Sequence, residues 1–155
     1  MIIRPATDSD ASALIALIAG VFAEYEGCRF VLDELPELRA IASHFRDQDG
    51  AFWVAESVNE VLGCVGFSPK SKARVELHKL YVRADARRHG LGSTLCDRVE
   101  TSARALGAGS VELWTDTKFA TAHRFYERRG YVKDDRSRLL HDLSNTEEFH
   151  YQKQI

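Results

Sequence analysis

Residues 75–106 constrain the fold most, because they combine a short apolar strand, a turn with two closely spaced glycines and an amphipathic helix. The strand ends at Leu80-Tyr81-Val82, and the glycines are Gly90 and Gly92. The helix carries its apolar residues at helical spacing: Leu91, Leu95, Val99 and Leu106. The first amides of a helix have no partner within it and lie at the positive end of its dipole. The segment therefore predicts an anion site, where the glycines let a pyrophosphate approach the main chain.

The side chains of the turn are consistent with that site, although two glycines alone are equally typical of a tight turn. Arg87, Arg88 and His89 add cationic or donor groups beside the glycines. The segment lacks the Gly-Lys-Ser/Thr ending of a nucleoside triphosphate loop and the third glycine of a dinucleotide site. Its position between a strand and a helix favours anion binding over a simple turn.

The pattern Arg87-x-x-Gly90-x-Gly92 resembles motif A of the GNAT N-acetyltransferase superfamily, which has Arg or Gln, two residues, Gly, one residue, and Gly or Ala. The resemblance implies that the turn binds the pyrophosphate of acetyl-coenzyme A. It also implies that the pantetheine arm enters a gap between two parallel strands and pairs with the backbone of the first. An N–H of that strand would then stabilise the oxyanion that develops at the thioester. The cofactor-binding residues predicted in this way are Leu80, Tyr81, Val82, Arg87, Arg88, His89, Gly90, Leu91, Gly92 and Ser93.

The order of elements predicts one domain over residues 1–155, of the α/β class with a mixed (α+β) sheet covered by helices on both faces. Strands are predicted at 2–4, 51–56, 61–67, 75–82, 111–115, 131–140 and 147–153. A first helix is predicted to start at the polar residues 7–10 and to carry apolar residues from Leu14 to Phe22, and further helices are predicted at 35–45, 90–106 and 120–129. A strand, a helix and a strand at this spacing predict a parallel crossover, which places 75–82 beside 111–115. This β-α-α-β-β-β-α-β-α-β-β order is similar to that of the GNAT acyl-CoA N-acyltransferase fold.

Composition and charge narrow the location and the partners. No run approaches the ~20 apolar residues that cross a bilayer, and the start, Met-Ile-Ile-Arg-Pro, is not a secretory pattern. We therefore expect a cytoplasmic protein without a membrane partner. A net charge of -2 argues against nucleic acid, whose binders usually show a basic face. Cys28, Cys64 and Cys96 have no zinc-ligand spacing with the histidines, so we expect reduced thiols and no metal.

Glu76 and His78 are candidate bases, because residues two apart on a strand point to the same face. Either could remove a proton from an ammonium substrate, directly or through water, and we favour Glu76 with His78 assisting. A structural alternative is a Glu76 that pairs with a nearby Lys or Arg. No Cys-His or Ser-His pair is suggested by spacing, so direct attack by the amine is favoured over an acyl-enzyme.

Tyr126 lies in Phe125-Tyr126-Glu127-Arg128-Arg129-Gly130-Tyr131, which resembles the family segment whose tyrosine protonates the departing coenzyme thiolate. A tyrosine with a reference pKa of about 10 suits a thiol leaving group, and a simple core tyrosine is the alternative. Seven residues earlier the family commonly has asparagine, whereas this chain has Phe119. A polar contact is therefore missing there, or is supplied by Thr117, Lys118 or Thr121.

By resemblance, the acceptor wall comes from the first two helices and their connection. Aromatic and charged residues occupy that connection: Phe22, Glu24, Tyr25, Glu26, Arg29 and Phe30, with Tyr131 or His141 as further candidates. Phe22, Tyr25, Glu26 and Arg29 are the predicted substrate contacts. The resemblance implies an acetyl-coenzyme A-dependent N-acetyltransferase that acts on the primary amine of a small metabolite or amino-acid-like acceptor, and the family's habit suggests a homodimer. The alternatives are acetylation of a protein N-terminus or lysine, and a non-catalytic coenzyme A-binding regulatory domain.

Overall fold

A seven-stranded sheet forms the centre of the protein in a computed structural model that describes all residues, 1–155. The strands are β1 (Ile2–Pro5), β2 (Ala51–Ser57), β3 (Glu60–Pro69), β4 (Arg74–Val82), β5 (Ser110–Asp116), β6 (Val132–Leu139) and β7 (Glu147–Gln154). They lie in the order β1-β2-β3-β4-β5-β7-β6. Only β4 and β5 pair in parallel, which confirms the predicted crossover, and all the other neighbours are antiparallel.

Four α-helices cover the two faces of the sheet: α1 (Ala11–Phe22), α2 (Ile41–Arg46), α3 (Leu91–Ala105) and α4 (Ala120–Arg128). One apolar cluster joins α1 and α2 to β2 and β3 through residues such as Ile18, Phe45 and Val54. A second cluster, which includes Leu95 and Leu113, joins α3 to the opposite face. The prediction of helices on both faces is therefore confirmed. None of these helices is long and apolar enough to span a membrane.

Two local predictions need correction. The helix predicted over 35–45 is split into a 3-10 segment at Pro36–Ala40 and the short helix α2, because Ala40 leaves the helical region at φ -151°. The helical spacing groups Leu106 with Leu91, Leu95 and Val99, but Leu106 is the residue that caps the helix, and 56% of it is exposed. The chain turns away at Gly107, where φ is +80°, so no further helical turn carries Leu106 into the core.

The cysteines are free thiols, in agreement with the expectation from spacing. Cys64 and Cys96 are fully buried, one in each apolar cluster. Burial raises the pKa of Cys64 to about 12 and that of Cys96 to about 11, so both thiols stay protonated at neutral pH.

Candidate active site

The two parallel strands separate along their second halves. β4 and β5 pair only through Arg74–Glu76 and Ser110–Glu112, although β4 continues to Val82 and β5 to Asp116. The pairing of β4 with β3 shifts at the same level, since Gly66 faces His78 but Cys64 faces Tyr81. An extra residue is thus accommodated in β4, which bends the strand. Beyond Glu76, the edge of β4 that faces β5 has no strand partner.

Lys79 marks the bulge, with a φ of +54° that is unusual for a residue with a side chain. Two contacts hold it. The Cys64 thiol donates to the carbonyl of Lys79 at 3.2 Å, and the Lys79 ammonium pairs with Glu37 at 2.7 Å. The bulge is therefore fixed from the sheet and from the 3-10 segment before α2, which keeps the gap between β4 and β5 open.

The gap is part of a cleft of about 1300 Å³. Most of the predicted site residues line it: Phe22, Tyr25, Arg29, Glu76, His78, Leu80, Tyr81, Val82, Arg87, Arg88, Gly90, Leu91, Gly92, Ser93 and Tyr126. Two predicted residues do not. His89 faces a separate shallow pocket with Met1 and Leu62, because the turn directs it away from the cleft. Glu26 lies outside the lining, in an exposed loop.

The main-chain amides of the glycine turn have no hydrogen-bond partner within the protein. None of the amides of residues 88–93 donates to another protein atom, and the first bond beyond them runs from the amide of Thr94 to the carbonyl of Gly90. Gly90 precedes α3 with a φ of +79° and no atom within 4 Å of a hypothetical Cβ. At Gly92 a Cβ would lie 3.3 Å from Phe125 of α4. The first glycine thus serves backbone conformation, and the second serves close packing.

Arg87 holds the turn rather than offering a free positive charge. Its guanidinium donates to the carbonyl of Val82 at 3.0 Å and forms two bonds with the carboxylate of Glu24, at 2.6 and 2.8 Å. Arg88 lines the cleft without such a pair, and Arg124 and Arg128 approach from α4. The turn therefore combines unpaired amides with nearby cations, an arrangement that suits a doubly charged linker.

Glu76 and His78 point to the same face, as predicted, with Glu76 Oε2 3.4 Å from His78 Nδ1. The other oxygen of Glu76 is 3.0 Å from the Lys70 ammonium, which is the structural pairing considered as an alternative. His78 shares a hydrogen bond of 2.8 Å with the Ser68 hydroxyl. Burial, together with the charges of Lys70 and Lys79, lowers the pKa of His78 to about 3, so its imidazole is neutral at pH 7.

Tyr126 is buried in α4 but reaches the cleft. Its ring packs against Phe125 and Tyr131, with centroids 5.5 and 5.7 Å away. No hydrogen bond within the protein engages its hydroxyl, and that oxygen is not among the fully buried atoms that lack a partner. Burial raises the pKa of Tyr126. Tyr126 is thus a protonated phenol whose hydroxyl is open to the cleft.

Phe119, at the position where the resemblance predicts asparagine, belongs to an aromatic wall. The other members of the wall are Phe22, Tyr25 and Tyr81. The ring of Phe119 lies 4.9 Å from Tyr25, 6.0 Å from Phe22 and 6.5 Å from Tyr81. Of the three residues considered as polar substitutes there, only Thr121 lines the cleft. Among the further candidates, His141 lines the cleft, whereas Tyr131 is buried and donates to Glu100 at 3.0 Å.

The cleft also contains charged residues that the sequence did not identify, and Asp116, Arg138 and Glu148 are three of them. Asp116 and Glu148 are paired across β5 and β7, and Arg138 donates to Glu148 at 2.7 Å. The signal that could have found them is alternation, since Glu148 and His150 share one face of β7. It is weak because β6 and β7 are rich in charged residues along their whole length.

Comparison with known proteins agrees with this geometry. The sequence profile of the Acetyltransferase (GNAT) family matches residues 18–131. A probable N-acetyltransferase camello of Xenopus tropicalis is 32% identical over 130 residues, which cover 79% of this chain and 58% of the relative. Human N-acetyltransferase 8 is 33% identical over 100 residues, which cover 61% of this chain and 44% of that protein. The chain thus spans about half the length of these curated relatives.

Solved structures share the fold over nearly the whole chain. A GNAT acetyltransferase from Staphylococcus aureus Mu50 aligns with a TM-score of 0.84 at 22% identity, covering 99% of this chain and 98% of that one. The PaiA N-acetyltransferase of Thermoplasma acidophilum, solved in complex with coenzyme A, aligns with a TM-score of 0.80 at 17% identity and the same coverage. With a family profile that matches most of its length, this chain belongs to the GNAT acetyltransferase family.

Proposed function

We propose that the protein transfers the acetyl group of acetyl-coenzyme A to the primary amine of a small metabolite or amino-acid-like acceptor, by direct attack of the amine. One observation carries the proposal: the unpaired amides of residues 88–93 lie at one end of a cleft that opens where β4 and β5 separate. An anion site beside an unpaired strand edge suits a ligand with a pyrophosphate and an extended amide-bearing arm.

The residues present fit coenzyme A. The amides of 88–93 and the positive end of α3 would hold the pyrophosphate, with Arg88, Arg124 and Arg128 nearby. Arg87 acts through its bonds to Val82 and Glu24 by fixing the turn. The free edge of β4 at Leu80, Tyr81 and Val82 would pair with the pantetheine amides. When bound, the coenzyme supplies an activated acyl group as a thioester.

The chain's own contribution is alignment and proton transfer. Alignment of an amine with a thioester can remove several kcal/mol of the barrier. Tyr126 is positioned to donate the proton that the leaving thiolate needs, because its hydroxyl is open to the cleft and keeps its proton at neutral pH. A carboxylate of the cleft takes the proton of the ammonium. Glu76 is the predicted candidate with His78 assisting, although its pairing with Lys70 lowers its availability.

Contacts across the acceptor end favour a small acceptor over a polypeptide. The amide of Arg29 donates to Ser144 Oγ at 3.0 Å, and the amide of Leu143 donates to Glu34 at 2.7 Å. These bonds tie the connection between α1 and α2 to the loop between β6 and β7. Acetylation of a protein N-terminus or lysine needs an open groove, and two segments joined by these bonds are less free to move apart for a polypeptide.

A screen for free thiol release across amines, amino acids and peptides tests the proposal. We expect turnover with small amines and a loss of at least tenfold in kcat for Tyr126→Phe, with unchanged coenzyme A affinity. Turnover confined to peptides would favour a protein acetyltransferase. Coenzyme A binding without turnover of any amine would favour the non-catalytic regulatory domain.

A further inference from the structure

Glu148 of β7 lies at the level of the gap where acetyl transfer is proposed. The last parallel pair of β4 and β5 joins Glu76 to Glu112. Beyond that pair the two strands have no register, and both Leu80 of β4 and Asp116 of β5 line the cleft. Asp116 is the register partner of Glu148 on β7. Glu148 therefore lies one strand beyond the gap and lines the same cleft as Leu80 and Asp116.

Glu148 offers a free carboxylate oxygen to the cleft. Its Oε1 accepts a bond of 2.7 Å from Arg138, and no protein group bonds to Oε2. Only 15% of its side chain is exposed, yet neither of its oxygens is among the fully buried atoms without a partner. Glu76 differs, since Lys70 occupies one of its oxygens and His78 approaches the other. Both oxygens of Glu76 thus have a nitrogen neighbour within 3.4 Å, whereas Glu148 Oε2 has neither a hydrogen-bond nor an ion-pair partner.

The charges around Glu148 strengthen it as a proton acceptor. Burial is the main cause of its raised pKa, and the negative charges of Asp116 on β5 and Glu76 on β4 add to it. Arg138 on β6 acts in the opposite direction but does not cancel the rise. A carboxylate in such surroundings gains from an incoming ammonium and holds the proton that it removes more firmly than an exposed glutamate would.

From this geometry we propose that Glu148 is the catalytic base that takes the proton from the acceptor's ammonium group. The inference rests on the proposed function. One proton passes from nitrogen to Glu148 Oε2, and the freed lone pair forms the C–N bond to the acetyl carbon. As the C–S bond breaks, Tyr126 donates its proton to the sulfur and recovers the second proton lost by the nitrogen. Glu148 then releases its proton to solvent, so the reaction yields an amide, a thiol and one proton.

The test compares Glu148→Gln with Glu76→Gln, using the pH profile of kcat/KM for an amine that the wild-type protein acetylates. We expect kcat/KM of Glu148→Gln to be lower than that of the wild-type protein by about 10²- to 10³-fold, with unchanged coenzyme A affinity. The fall of kcat/KM at acidic pH, the acidic limb of the profile, should be absent in this variant. In Glu76→Gln, kcat/KM should fall by less than about tenfold, and the acidic limb should remain. Arg138→Met should move the limb to higher pH, because Arg138 lowers the pKa of Glu148. A merely structural role for Glu148 would not produce that shift.

Two outcomes of the pH profiles would contradict the role of Glu148. An intact acidic limb in Glu148→Gln, or its disappearance only in Glu76→Gln, overturns the proposal for Glu148 while leaving the acetyl transfer in place. Absence of turnover in the wild-type protein counts against the proposed function instead. In that event, calorimetric binding of benzylammonium in the presence of coenzyme A decides the matter. Weaker binding to Glu148→Gln supports a contact with the ammonium, and equal binding refutes it.

Discussion

The turn before α3 can be tested with Gly90→Ala, because this glycine has a left-handed backbone and open space around it. Its φ is +79° and ψ is 5°, and a Cβ would have no heavy atom within 4 Å. The cost of the substitution thus comes from the backbone alone. A left-handed conformation costs a residue with a Cβ about 1 to 2 kcal/mol.

That cost is divided between stability and coenzyme A binding in a predictable way. If the turn keeps its shape, the free energy of unfolding falls by the whole 1 to 2 kcal/mol, roughly, and the affinity is unchanged. If the turn relaxes, the amides of 88–93 lose their alignment, and affinity falls by up to about 5- to 30-fold instead. The loss in free energy of unfolding and the loss in binding free energy together amount to about 1 to 2 kcal/mol, because the bound state requires the original turn.

Gly107→Ala is the matched control, since Gly107 has a φ of +80° and equal open space at the other end of α3. Urea unfolding measures stability, and calorimetry measures the dissociation constant of coenzyme A. We expect Gly107→Ala to lose about 1 to 2 kcal/mol of stability with no change in affinity. Wild-type values for both quantities in Gly90→Ala would refute the reasoning, as would an equal loss of affinity in the two variants.

Two further predictions concern the acceptor side of the cleft. Phe119→Ala removes the ring that packs on Tyr25 and Phe22, so kcat/KM for aromatic amines should fall about tenfold relative to short aliphatic amines; equal losses for both would contradict an aromatic wall that selects the acceptor. Burial holds the pKa of His78 at about 3, so the unfolded chain binds a proton there that the folded protein does not, and stability falls as the pH drops from 6.5 towards 3. Urea unfolding over that range should show a smaller fall for His78→Gln, and an identical slope would show that His78 titrates normally.

The central part of the fold was predictable because its signals are local. Alternation and closely spaced glycines identify β4, the turn and α3 within one stretch of chain, and the strand-helix-strand spacing then places β5 beside β4. The pairing of Val75 with Val111 confirms that reasoning. The errors are local as well: the chain stops α3 before Leu106, and Ala40 interrupts the second helical segment.

The acceptor half of the cleft was less predictable, because its contacts join residues far apart in sequence. The sequence allows Glu76 to pair with a lysine or arginine. Only the folded turn between β3 and β4, which brings Lys70 to Glu76, shows which residue is the partner. In the sequence, Phe119 is a departure from the asparagine that the family commonly has. Its contact with the ring of Tyr25 depends on how the end of α1 lies against the start of α4. Glu148 enters the cleft through its register with Asp116, which no local pattern specifies.

This contrast follows from which atoms carry each half of the site. In the proposed function, the coenzyme is bound by main-chain amides at 88–93 and by the free edge of β4, which many sequences can supply once the fold is kept. A TM-score of 0.84 at 22% identity shows that the fold itself is kept at such sequence divergence. The proposed acceptor half instead involves the side chains of Phe119, Asp116 and Glu148, so we expect a single substitution there to change the chemistry without changing the fold. Family membership therefore informs the coenzyme end, and variants at these positions inform the acceptor end.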